Sequence, residues 1–136
     1  MVFTMKRYQN ILQNETEIFN SLAHPARLEI LDLLRDGEAC VCHIQAMLDQ
    51  RQAYVSQHLN VLRQAGLVTS RKDGLRVYYQ VSDPILFEVI DRIKVFLQEA
   101  GAWQTDEASP SHAKKPCNCP QCSEKQVERE LSEVTV

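Results

Sequence analysis

Five cysteines fall in two clusters, Cys40-Val41-Cys42 and Cys117-Asn118-Cys119-Pro120-Gln121-Cys122. Thiolate sulfur is both a soft ligand and a reversible redox centre. Clusters of this kind therefore suit zinc, cadmium, lead, copper(I) or arsenic(III), or else controlled thiol oxidation. An odd number of cysteines in two tight groups does not describe the stapled framework of a small secreted domain, and it places the chain in a reducing cytoplasm. Cys40 and Cys42 open a short helical pattern over residues 41–48, with Ile44, Met47 and Leu48 inward. A helix N-terminus favours negative charge and lowers a thiol pKa. Residues two apart on a regular helix point to different sides, so both sulfurs reach one ion only where the first turn is irregular and Cys40 still sits in the cap. Two sulfurs leave a site incomplete. The expected soft-ion site joins Cys40 and Cys42 to one or two of Cys117, Cys119 and Cys122, across a linker that spans roughly 50 Å when extended. The alternatives for the second cluster are a separate zinc knot, a copper scavenger or a redox-active set, and together they rank below the shared site; His112 is a weak optional ligand beside it.

A second chemistry lies between residues 51 and 81. Arg51, Arg63, Arg71, Lys72 and Arg76 face Asp73 alone there, a local charge of +4 in a chain whose net charge is −3. Concentrated basic charge on a mildly acidic protein is compatible with a phosphate-facing surface. Val55, Leu59 and Leu62 repeat at helical spacing and leave Gln52, Tyr54, Ser56, Gln57, Asn60 and Arg63 on the opposite side, donors and acceptors suited to base edges in a major groove. Arg71, Lys72 and Arg76 flank a hairpin tip and would contact phosphates. His58 borders the inward face and reads as a structural histidine, His24 before Pro25 as a cap, and Tyr78 and Tyr79 as sheet packing.

The elements that must position these groups follow from periodicity. An amphipathic helix covers residues 8–22, and Pro25 opens a second helix ended by Asp36-Gly37. The short helix at 41–48 and the one beginning near Gln52 are joined tightly, as in a helix-turn-helix. After Gly66 the period becomes two, with Asp73-Gly74 between alternating runs, the signal for a hairpin on a type I′ turn with positive φ at both central residues. Ser82-Asp83-Pro84 caps a last helix over 85–100 whose stripe of Leu86, Ile90, Ile93 and Leu97, widened by Val89 and Phe96, exceeds the needs of one small domain and predicts a second copy. The order α-α-α-α-β-β-α, mainly α with a small β hairpin (α+β), is that of a winged helix-turn-helix. Two units are expected: 1–103 for DNA binding and dimerisation, and a polar, cysteine-containing tail over 104–136. No apolar run is long enough for a membrane span, and the N-terminus has no secretory signal pattern.

Leu22-Ala23-His24-Pro25-Ala26-Arg27-Leu28-Glu29-Ile30-Leu31, Cys40-Val41-Cys42-His43-Ile44 and Val55-Ser56-Gln57-His58-Leu59-Asn60-Val61-Leu62-Arg63-Gln64-Ala65-Gly66-Leu67-Val68 resemble the ArsR/SmtB family of bacterial metal-sensing repressors. The resemblance implies a homodimeric winged-helix repressor that binds double-stranded operator DNA when metal-free and leaves it when metal binds. It also implies a dimer built from the first and last helices, for which Ile11, Ile18, Leu86, Ile90, Ile93 and Leu97 are the expected contacts. A two-fold protein matches half-sites about one helical turn, roughly 34 Å, apart or a multiple of it. Residues 1–39 lack the N-terminal cysteines of the family's cadmium and lead sensors, and Gln45 replaces the third cysteine of a common arsenic-sensing pattern. The last helix has no histidine for a zinc site of the family's kind, and His43 stands where the family often has Asp. The tail is thus the expected source of further ligands, for arsenic(III), cadmium, lead or zinc. The alternatives are a redox- or persulfide-sensing regulator of the same fold, a metal buffer, and a thiol enzyme using Cys119 and Cys122; the last lacks a βαβ context and a catalytic base.

Overall fold

The computed structural model describes residues 2–102; the expectations placed on Cys117, Cys119, Cys122, His112 and the tail lie outside the described residues. Helix α1 (Val2–Leu22) begins earlier than its apolar period suggested. His24, in extended conformation, caps α2 (Pro25–Leu33): its Nδ1 accepts a hydrogen bond from the Ala26 amide, and Pro25 occupies the first turn, where no amide partner is needed. A 3₁₀ turn (Leu34–Asp36) follows, and Gly37, at φ 118°, redirects the chain.

Strand β1 (Ala39–Cys40) is an addition to the expected order. It leads straight into α3 (Val41–Leu48), which ends at Asp49 in the left-handed conformation, φ 55° and ψ 43°, a geometry that a short polar side chain tolerates. Helix α4 (Gln52–Gln64) is followed by β2 (Val68–Asp73), β3 (Arg76–Val81) and α5 (Ile85–Glu99). The Asp83 carboxylate accepts from the Ile85 amide at 2.9 Å and so caps α5. The sheet has three antiparallel strands in the order β1-β3-β2, with Cys40 opposite Tyr78 and Arg71 also opposite Tyr78 on the other side.

The hairpin turn corrects the expectation for Asp73-Gly74. Asp73 pairs with Arg76, so the two loop residues are Gly74 and Leu75, and only Gly74 has positive φ, 60°. That is the φ pattern of a type II′ turn, which needs glycine at its first central position alone.

Ile30, Leu31, Ile44, Val55, Leu59 and Leu62 are completely buried and pack with Leu34, Val68, Leu22 and Leu67. Each such side chain contributes about 1.5–3 kcal/mol relative to exposure. Leu86 and Ile90, expected among the dimer contacts, belong to this same core: they turn inward, and α5 exposes Ile85, Val89, Ile93 and Phe96. Ile11 is exposed on α1, whereas Ile18 and Leu97 are half-buried. Among the described residues no helix is long and apolar enough to cross a membrane.

Candidate nucleic-acid interface and thiol site

Helix α4 divides its residues as its period requires. Val55, Leu59 and Leu62 are fully buried, while Gln52, Tyr54, Ser56, Gln57, Asn60 and Arg63 are all exposed along the outer side. Asn60 Oδ1 accepts from Arg63 Nη2 at 3.1 Å, which orients both side chains within that face.

The base of the face is held by a contact set that sequence reasoning did not assemble. Arg27, on α2, donates to the carbonyl oxygens of Ser21 and Asn20 at the end of α1, and its Nη1 lies 3.4 Å from His58 Nδ1 on α4. A guanidinium can only donate, so Nδ1 is the accepting nitrogen of a neutral imidazole. The His24 ring lies tilted against the His58 ring at 4.3 Å between centroids, and Tyr54 meets it edge-on at 4.5 Å. Burial, then the neighbouring His24 and Arg27, push the His58 pKa below its ordinary value. His58 is therefore structural and His24 a cap, in agreement with their sequence contexts.

On the wing, Lys72 is exposed, but Arg71 and Arg76 are already engaged or withdrawn. Arg71 pairs with Glu38, approaches Asp73 at 3.7 Å and lies over the Tyr78 ring at 4.6 Å from its centroid. Glu38 was not foreseen, because its partner lies 33 residues away and no local pattern encodes the contact. Arg76 is half-buried, with Nη1 lacking a hydrogen-bond partner among the described residues.

Cys40 is the N-cap of α3 and is 1% exposed; Cys42, in the first turn, is exposed. The extended dihedrals of Cys40, φ −76° and ψ 154°, turn its side chain toward Cys42, and the two sulfurs are joined as a disulfide with their Cα atoms 5.4 Å apart. This is the irregular first turn on which convergence depends. The His43 amide donates to Cys40 Sγ at 3.3 Å, so a first-turn helix N–H is directed at sulfur and favours negative charge there once the pair is reduced. Gln45, Ala46, Asp49, Gln50 and Arg51 border an open depression beside Cys42. No group of three or more His, Cys, Asp and Glu side chains suited to one metal ion occurs among the described residues. The cysteine pair fits a soft ion by donor type and convergence, and needs ligands from elsewhere to complete a site.

Comparison with known proteins gives a consistent picture. The family model described as "Bacterial regulatory protein, arsR family" matches residues 24–70. An HTH-type transcriptional regulator of Methanocaldococcus jannaschii is 39% identical over 87 residues, covering 63% of this chain and 93% of that one. The arsenical resistance operon repressor of Staphylococcus aureus is 38% identical over 78 residues, covering 57% of this chain and 75% of that one. Among solved structures, the homodimeric winged helix-turn-helix DNA-binding domain from Mycobacterium bovis superposes with a TM-score of 0.65 at 27% identity, covering 75% of this chain and 94% of that one.

Proposed function

Since the chain belongs to the ArsR family of bacterial regulatory proteins, whose members are DNA-binding transcriptional regulators and not enzymes, we propose that it is a homodimeric repressor released from its operator by a thiophilic ion at Cys40 and Cys42. Gln52, Tyr54, Ser56, Gln57, Asn60 and Arg63 present hydrogen-bonding groups to the major groove, and Lys72, with Arg71 and Arg76 behind it, approaches the backbone. Exposed Ile11 on α1 and Ile85, Val89, Ile93 and Phe96 on α5 are covered by the second copy.

The observation that carries the reading is the convergence of two sulfurs at the junction of β1 and α3. That junction touches both DNA-facing elements: α3 packs on α4, and Cys40 pairs through its backbone with Tyr78 on the wing. Holding a soft ion between Cys40 and Cys42, with further sulfur from Cys117, Cys119 or Cys122, fixes the first turn of α3 in a geometry other than that of the free thiols. The readers of the two protomers then change their relative orientation. A coupling of about 1–3 kcal/mol changes DNA affinity roughly 5- to 150-fold, and linkage makes DNA weaken ion binding by the same factor. The residues 1–103 act as the DNA-binding and dimerisation unit, with 104–136 as the tail that supplies ligands.

One observation favours a second reading. The sulfurs of Cys40 and Cys42 are joined to each other, and formation of that bond, with loss of two electrons and two protons to an oxidant, is itself an input that displaces the α3 turn. A single titration separates the two. Anisotropy of a labelled upstream promoter fragment is followed under strict reduction while arsenite, cadmium, lead and zinc are added, with sulfur-to-metal absorbance read in parallel. Release that tracks the absorbance supports the ion sensor; release only after a disulfide-forming oxidant supports the redox sensor.

A further inference from the structure

Glu38, the residue just before β1, fills the guanidinium fork of Arg71 on the wing. Its carboxylate accepts from Arg71 Nε at 2.7 Å and from Arg71 Nη2 through its other oxygen, the two-pronged geometry with which arginine also grips phosphate. Tyr78 underlies the guanidinium and Asp73 approaches the remaining nitrogen. The position of Glu38 is fixed by the main chain: the next two residues, Ala39 and Cys40, pair in register with Tyr79 and Tyr78 of β3, while Arg71 faces Tyr78 from β2. The pair is nevertheless open to water, with side-chain exposures of 54% for Arg71 and 27% for Glu38. An anion from solution can therefore reach the guanidinium and compete. Arg71 holds the Glu38 carboxyl below the ordinary carboxylate range, so the competitor is ionised wherever the protein works.

We propose that Glu38 is an intramolecular phosphate mimic, which occupies the Arg71 fork in the DNA-free protein and must be displaced by a backbone phosphate before the wing grips the duplex. The inference rests on the DNA-binding part of the reading above and is independent of the effector. It assigns Glu38 to the control of affinity without sequence preference, because phosphate contacts carry no sequence information. Removing the competitor strengthens binding by about two- to fivefold per wing, the range that an exposed ion pair supplies.

The test is a double-mutant cycle on the full chain with a random-sequence duplex at about 0.1 M salt: the unaltered protein, Glu38→Gln, Arg71→Gln and the double variant, each checked by thermal melting. Glu38→Gln should bind about two- to fivefold more tightly per wing, and Arg71→Gln more weakly. The double variant should match Arg71→Gln. Unchanged or weaker binding by Glu38→Gln overturns the proposal. So does a gain that persists in the Arg71→Gln background, since that would be the general effect of removing one negative charge near DNA. Should Glu38→Gln not fold, NMR of the unaltered protein decides: on adding duplex, the Glu38 carboxyl carbon should move toward its free position together with a shift of Arg71 Nε–H, and stationary signals overturn the idea. Failure of the unaltered protein to bind any duplex would defeat the DNA-binding reading as well, whereas binding without a Glu38 effect defeats only this inference.

Discussion

His58, on α4, ties that helix to the start of α2 through His24 at its cap and Arg27, and Arg27 in turn holds carbonyl groups at the end of α1. The His58 pKa is lowered in the fold from an ordinary 6.5, first by burial and then by its neighbours His24 and Arg27. Between the lowered value and 6.5 the unfolded chain binds the extra proton, so stability is complete above 6.5 and declines as pH falls through that window. Thermal melts recorded from neutral to acidic pH should show this decline, and His58→Gln should flatten it. Leu59, which follows His58 in α4, is wholly buried. Leu59→Ala should cost about 2–5 kcal/mol in denaturant unfolding, the range for emptying a core leucine site. The two histidines were legible as structural from their places beside Pro25 and the inward stripe of α4. Arg27 and Glu38 were not, because each acts on a partner that only tertiary packing brings near.

At the scale of the element, the proposed DNA complex gives α4 and the wing separate tasks. Gln57→Ala and Asn60→Ala should each weaken operator binding by about 1–3 kcal/mol and change random-duplex binding far less, as anisotropy with both DNAs would show. Gly74 carries the hairpin with φ 60°, so Gly74→Ala should destabilise the protein by about 1 kcal/mol, measurable by denaturant melts, although open space surrounds the position. The long helices were readable because many apolar positions repeat in each, and the bounds of α3 coincide with the expected 41–48. Strand β1 was not, since Ala39 and Cys40 are too few for alternation to register. The turn type slipped because Asp-Gly reads as the centre of a loop, whereas Asp73 pairs with Arg76 and leaves Gly74-Leu75 as the loop. The consequence of β1 is mechanical: it pairs Cys40, whose side chain is buried, with Tyr78 of β3, which forms half of the wing, and under the proposed mechanism this is a second path from thiol to DNA beside the packing of α3 on α4.

For the whole molecule, the apolar stripe of α5 is shared between two jobs that sequence alone could not apportion. Leu86 and Ile90 complete the chain's own core, and Ile93 and Phe96, 43% and 67% exposed, remain for a second copy. Ile93→Asp with Phe96→Asp should shift the protein to monomer in sedimentation analysis while helical content is kept, and operator affinity should fall because one reader alone meets one half-site. In the proposed mechanism dimer geometry also couples the thiol junction to DNA, since a displaced α3 turn would matter only by altering the relation between two readers. The decisive comparison is therefore made on the intact reduced dimer, with serine replacing both cysteines at the α3 cap (Cys40→Ser with Cys42→Ser), held on its promoter while cadmium and then arsenite are titrated. The account predicts that this variant retains its grip on DNA through doses that free the unaltered protein. Dissociation of both proteins over the same dose range would contradict it.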